Sequence, residues 1–150
     1  MSFMTLSSGK SLWRGYEYYK NNRVCYKSIK SDTEIEGKVV GNGKTYTVVI
    51  DTEHPRKSKC NCPHADGKHI ICKHMVALYF ATFPKVAEAY YNEVIAYEEE
   101  QERIQSEMEE KVIDYINSLK KDELRQKLFE VLFDGPEWMF NRFYRENIEW

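Results

Sequence analysis

A chain of 150 residues and 17.9 kDa is the length of one ordinary domain, and 42% hydrophobic with 31% charged residues excludes both a disordered chain and a membrane-embedded one. No apolar run approaches the roughly 18 residues of a membrane span, and the opening MSFMTLSSGK lacks the basic and apolar segments of a secretory leader, so a cytoplasmic protein whose four cysteines are ligands or thiols is expected. The net charge of −2 divides into +6 over residues 1–75 and −8 over residues 76–150, so a polyanion would engage the first half, although two solubilising surfaces would give the same asymmetry.

Ser8 or Ser11 can cap a first helix through Leu12, Trp13, Tyr16, Tyr19 and Lys20, which Asn21 and Asn22 end. Leu12, Tyr16 and Tyr19 share its core face. Arg14, Lys20 and Arg23 are left as candidate phosphate contacts. From Val24 the apolar period falls to two, with Val24 and Tyr26, then Ile35 and Val39, then Tyr46, Val48 and Ile50 each lining one side of a strand. Ser31-Asp32 breaks the first pair, and Asn42-Gly43 supplies the positive backbone angles of a two-residue hairpin. A three-stranded antiparallel meander follows, with Cys25 expected as a small core residue.

Residues 53–70 are rich in proline, glycine, histidine and cysteine, and hold too little apolar material to fold by packing alone. Beyond them Met75, Val76, Leu78, Tyr79 and Phe80 form a helix apolar on nearly all sides, closed by Pro84. A long helix is expected over 86–119, with an apolar stripe at 90, 94, 97, 104, 108, 112, 115 and 119 and seven glutamates within 98–110. A shorter helix from Asp122, a turn at Asp134-Gly135-Pro136 and an aromatic last segment complete the chain. The fold class is α+β, with a meander and metal-stapled module over 1–83 and an all-helical region over 84–150.

The chemistry concentrates in Cys60-Asn61-Cys62-Pro63 and, nine residues after Cys62, Cys72-Lys73-His74. Three thiolates and one imidazole are a full set for tetrahedral zinc. Strand residues two apart have Cα atoms about 6.6 Å apart, whereas thiolates at Zn–S of 2.3 Å sit about 3.8 Å apart. The chain must therefore curl at the first pair, where Pro63 stops a strand. Residues two apart in a helix point about 200° away from each other. Cys72 must then sit at the cap and His74 in the first turn, where the helix N-terminus favours thiolate. His64 and His69 lie in the same loop as substitutes for His74 but read as solvated residues, and His54 has no evident partner. Lys59, Lys68 and Lys73 are close enough in sequence to offset the centre's formal charge of −1.

The run CNCP, the nine-residue gap and CKHMVALYFA resemble a SWIM zinc finger, C-x-C then C-x-H, and the likeness extends upstream to Arg14-Gly15-Tyr16-Glu17-Tyr18-Tyr19 and Asn22-Arg23-Val24. It covers residues 13 to about 82. The resemblance implies one structural zinc ion on Cys60, Cys62, Cys72 and His74, a ββα arrangement, and a binding module rather than an enzyme. Relatives of that kind bind DNA or proteins, some beside Swi/Snf-type ATPases, so an ATPase or helicase is one class of protein partner it implies.

Four protein ligands close a zinc shell, and the chain has neither a glycine-rich phosphate loop nor a His-Glu-x-x-His helix, so no enzymatic activity is expected. The leading expectation is binding of nucleic acid, DNA ahead of RNA, through Arg56, Lys57, Lys59, Lys68 and Lys73 around the metal loop. The rival is a protein-interaction adaptor that docks a partner through the helical region.

Overall fold

The computed structural model describes residues 2–149 and divides into two compact units, Met1–Ile95 and Ala96–Trp150. Helix α1 (Gly9–Lys20) opens on Ser8, whose hydroxyl accepts the Ser11 N–H at 3.2 Å. Asn21 caps its end, and Asn22, at φ 51°, takes the left-handed conformation that asparagine tolerates and turns the chain into the sheet.

Strands β1 (Val24–Ile29), β2 (Glu34–Gly41) and β3 (Lys44–Asp51) form the expected antiparallel meander. Asn42 at φ 51° and Gly43 at φ 71° make the hairpin between β2 and β3. Ile35, Val39, Val48 and Ile50 are buried on one face, as the period of two requires. A fourth strand, β4 (Lys59–Cys60), extends the sheet to the order β1-β2-β3-β4 by pairing Cys60 with Val48 and Lys59 with Val49. Two residues are too few to show a period, so β4 carries no strand signal in the sequence.

Cys25 is not a core residue. Val24 pairs with Val39 and Tyr26 with Lys38, which leaves Cys25 as the extra residue of a β-bulge. Its thiol is exposed, 3.4 Å from the Lys38 carbonyl, and the shift also turns Tyr26 to solvent rather than to the side of Val24.

Helix α2 (Lys73–Thr82) is apolar all round because it has neighbours on more than one side. Toward the sheet Leu78 presses on Gly37, where a Cβ would stand 2.5 Å from Leu78 Cδ1. Toward α1, Gly15 lies against Val76 with no room for a side chain. Met75, Val76, Ala77, Leu78 and Phe80 are fully buried. Burying side chains of the size of Met75, Leu78 and Phe80 stabilises by about 1.5–3 kcal/mol each. Phe3, in a segment without periodic signal, joins this core by stacking on Tyr79 at 4.6 Å.

Helix α3 (Pro84–Ser118) starts with proline in its first turn, where the missing N–H costs nothing. Ala87 is buried, Tyr90 stacks on Phe80 at 5.4 Å and Tyr91 on Tyr16 at 5.2 Å, so the first turns of α3 belong to the first unit. The second unit holds the rest of α3, α4 (Lys121–Phe129), a π-helical turn (Glu130–Asp134) and α5 (Glu137–Asn147). The Glu123 carboxylate accepts the Lys120 N–H at 2.7 Å and fixes the start of α4. No described residue beyond 95 is buried. Among the described residues no helix is long and apolar enough to cross a membrane.

Candidate metal centre

Cys60 ends β4, and alternation along the strand turns its side chain to the face opposite that of Lys59. Asn61 then makes the curl that the first pair requires. Its N–H donates to the Thr47 carbonyl at 3.3 Å while its Oδ1 accepts the Thr47 N–H at 2.9 Å, so a side chain finishes the ladder that the backbone leaves. The next turn is held by the Cys62 carbonyl, which accepts from the N–H of Ala65 at 3.0 Å and of Asp66 at 2.9 Å. Gly67, at φ 68°, reverses the chain, and Ile71 bridges to Ser7 before α2 begins.

Cys72 is the N-cap of α2, in extended conformation, and His74 is the second helical residue. This is the placement that converges two residues which a helix interior would splay apart. The four ligand atoms of Cys60, Cys62, Cys72 and His74 all lie within 4.8 Å of one another, and all four residues are buried. His74 Nδ1 stands 3.8 Å from Cys60 Sγ and 3.9 Å from Cys72 Sγ, close to the spacing of about 3.8 Å between thiolates that tetrahedral zinc sets. None of the three sulfurs is in a disulfide. The residues present therefore fit one structural zinc ion, held by three sulfurs and Nδ1.

The sequence did not reveal which imidazole nitrogen faces the metal. The ring is held by stacking: Tyr46 lies against it at 4.4 Å and Tyr18 meets it edge-on at 5.4 Å. Nε2 is buried without a hydrogen-bond partner. A Cβ at Gly41 would stand 3.0 Å from Nε2 and 2.9 Å from the Tyr18 hydroxyl, so any other residue there would press on the ligand and on the ring that braces it. With Nδ1 toward the sulfurs, the ligating tautomer carries its proton on Nε2.

The thiols are electrostatically uneven. Cys72 is held down to about 4, first by its hydrogen bond with Cys60 and then by His74 and the Met75 N–H at the start of α2. Cys60 is pushed up, first by the same hydrogen bond and then by burial. A bound dication supplies the positive charge that lets Cys60 release its proton. Metal binding therefore releases protons, and affinity falls as the pH falls.

Around the centre the surface is basic. A cavity of about 350 Å³ reaches Cys62, Cys72 and His74 and is walled by Lys10, Arg14 and Lys73. Lys73 Nζ also sits 4.5 Å above the Tyr18 ring. A second concavity, of about 830 Å³, holds Arg56, Lys57 and His69 and shares Ser8, Ser11 and His64 with the first. Neither is lined by an aspartate or glutamate. Of the five cations expected around the loop, Arg56, Lys57 and Lys73 line these concavities, while Lys59 and Lys68 are exposed outside them. Lys20 ends α1 and Arg23 follows it in the turn before β1, and neither lines the concavities. Lys10 was missed, although it lies four residues from Arg14 and so on the same helix face.

His64 and His69 are exposed, and His69 Nδ1 lies 3.2 Å from the Arg56 carbonyl. His54 does have a partner, Asp51, at 3.6 Å, and the Asp51 carboxylate also accepts the His54 N–H at 2.7 Å. This is a local turn contact that residue spacing did not reveal.

Residues 46–83, from β3 through β4 to the end of α2, match the family model described as SWIM zinc finger. No curated protein and no solved structure matches the chain.

Proposed function

Because this chain carries a SWIM zinc finger over residues 46–83, we propose that it binds nucleic acid without catalysing a reaction, through the basic concavities beside the metal. The observation that carries this reading is the convergence of Lys10, Arg14, Lys73, Arg56 and Lys57 on two adjoining hollows with no acidic lining. Cations on a rigid frame neutralise phosphates at low ordering cost and release counterions. Duplex DNA fits this surface better than single-stranded RNA. Splayed bases need free aromatic faces, and Tyr18 and Tyr46 beside the centre are committed to His74. Zinc enclosed by four protein ligands leaves no position for a reacting water, which supports a structural rather than a catalytic metal.

The experiment is a salt titration of binding to a duplex, read by fluorescence anisotropy on zinc-loaded protein. Four or five phosphate contacts at a logarithmic slope of about −0.9 each reduce affinity by about two to three orders of magnitude between 50 and 200 mM salt. Affinity that ignores salt over that range would overturn the reading.

A second reading, a protein-interaction role for the helical unit, is favoured by one observation. Tyr97, Met108, Val112, Phe129, Phe133 and Trp138 are all exposed, in a unit with no buried described residue. Large apolar side chains left open to this extent favour a partner that covers them.

A further inference from the structure

We infer that the exposed stripe of α3 pairs antiparallel with the same stripe of a second copy of this chain. This names a partner for the protein-interaction reading and rests on it. The stripe runs Tyr97, Gln101, Ile104, Met108, Val112 and Tyr115 along α3 and ends at the half-buried Leu119 just beyond it. At 3.6 residues per turn the six helical residues fall within about 80° of arc. Tyr97, Met108, Val112 and Tyr115 are 66%, 57%, 56% and 52% exposed, values that belong to no core. A helix with such a seam loses its apolar contacts to water unless another surface covers it.

Spacing selects the occupant. The steps along the stripe are four, three, four, four, three, four, a series that reads the same in both directions about Met108. Turning a second copy end over end about Met108 therefore brings every seam residue opposite another: Met108 against Met108, Ile104 against Val112, Gln101 against Tyr115, Tyr97 against Leu119. Such self-complementarity is what a two-fold interface requires.

Charge selects the direction. Parallel pairing would stack the seven glutamates of 98–110 on the same seven of the other copy. Arg103, the one cation in that stretch, is already engaged with Glu100 at 2.6 Å and Glu107 at 3.0 Å on its own helix. Antiparallel pairing leaves Glu107 against Glu109 and Glu102 against Asp114, but it moves Glu98, Glu99 and Glu100 away from their own copies to the end of the other helix, next to Lys120 and Lys121. The helices keep a net negative excess, so added salt tightens the pair, opposite in sign to its effect on nucleic-acid binding.

The test uses the full chain with Cys25→Ser, which removes the exposed thiol. Sedimentation at micromolar concentration is expected to show dimers that strengthen with salt. Met108→Glu sets two carboxylates opposite each other at the two-fold centre and is expected to weaken association about a hundredfold or more, whereas Met108→Leu keeps it. Met108→Cys is expected to crosslink to itself. Ile104→Cys should crosslink to Val112→Cys but not to itself. Self-crosslinking of Ile104→Cys as readily as Met108→Cys would overturn the antiparallel register. A monomer would overturn self-pairing altogether. If that monomer still binds an apolar dye, and loses it with Met108→Glu, the stripe remains a docking face for another protein. A monomer without dye binding removes the interaction reading as well.

Discussion

Replacing Cys72 with serine is expected to strip the zinc and to release residues 59–72 from the sheet and from α2 while leaving the three long strands folded. Serine is a better N-cap than cysteine, so the start of α2 is not weakened by the loss of a cap. What changes is the metal, which loses one of three thiolates. Structural zinc in finger peptides is worth about 10–16 kcal/mol, so an even share per ligand is about 2.5–4 kcal/mol, the least that losing the ion should cost. For a chain of this size that lowers the melting temperature by about 10 °C. Hydrogen exchange should localise the damage. The amides of Asn61, Ala65 and Asp66, which hold the curl and the turn after it, should lose protection. Those of β2 and β3, paired along their full length over Ile35, Val39, Val48 and Ile50, should keep it. Unchanged zinc content and an unchanged melting temperature in Cys72→Ser would refute this.

Reversing the charge of Lys10, Arg14, Arg56 and Lys57 together is expected to cost at least three orders of magnitude in duplex affinity at low salt. Four phosphate contacts would be lost, and the logarithmic salt slope should flatten by about 3.6. All four side chains line the concavities, and none is a ligand or neighbours one in sequence, so zinc content should not change. Lys73 is left in place because it lies between Cys72 and His74. Lys59→Glu with Lys68→Glu is the control. Both residues are exposed outside the concavities, so their reversal should cost an order of magnitude or less, the long-range part of the field alone. Equal losses in the two variants would place binding elsewhere.

The ligands could be read from the sequence because metal chemistry imposes a local pattern. Cys60, Cys62, Cys72 and His74 fall within fifteen residues, and the geometry of strand and helix already required a curl after Cys60 and a cap at Cys72. The Asn42-Gly43 hairpin and the all-apolar α2 were legible for the same reason, since each is a rule about neighbouring residues. What was not legible depends on distant parts of the chain. The bulge that expels Cys25 is set by pairing with β2 and leaves the period of two intact on paper. Phe3 enters the core only because Tyr79 is there to receive it. The choice of Nδ1 on His74 follows from Tyr46, Tyr18 and Gly41, which come from three different elements. The basic surface is likewise a product of folding. Lys10 and Arg14 on α1 join Arg56 and Lys57 across more than forty residues, while Lys59, next to a ligand in sequence, lies on the far side of the strand.

The direct test of the metal centre is cobalt substitution of the intact chain, followed by absorption spectroscopy and metal analysis. One cobalt per chain, with the intense charge-transfer and d–d bands of a tetrahedral site bearing three thiolates and one imidazole, is the expected result, displaced stoichiometrically by zinc. A metal-free chain that melts cooperatively with residues 59–72 fully protected, or an octahedral spectrum poor in sulfur, would contradict it.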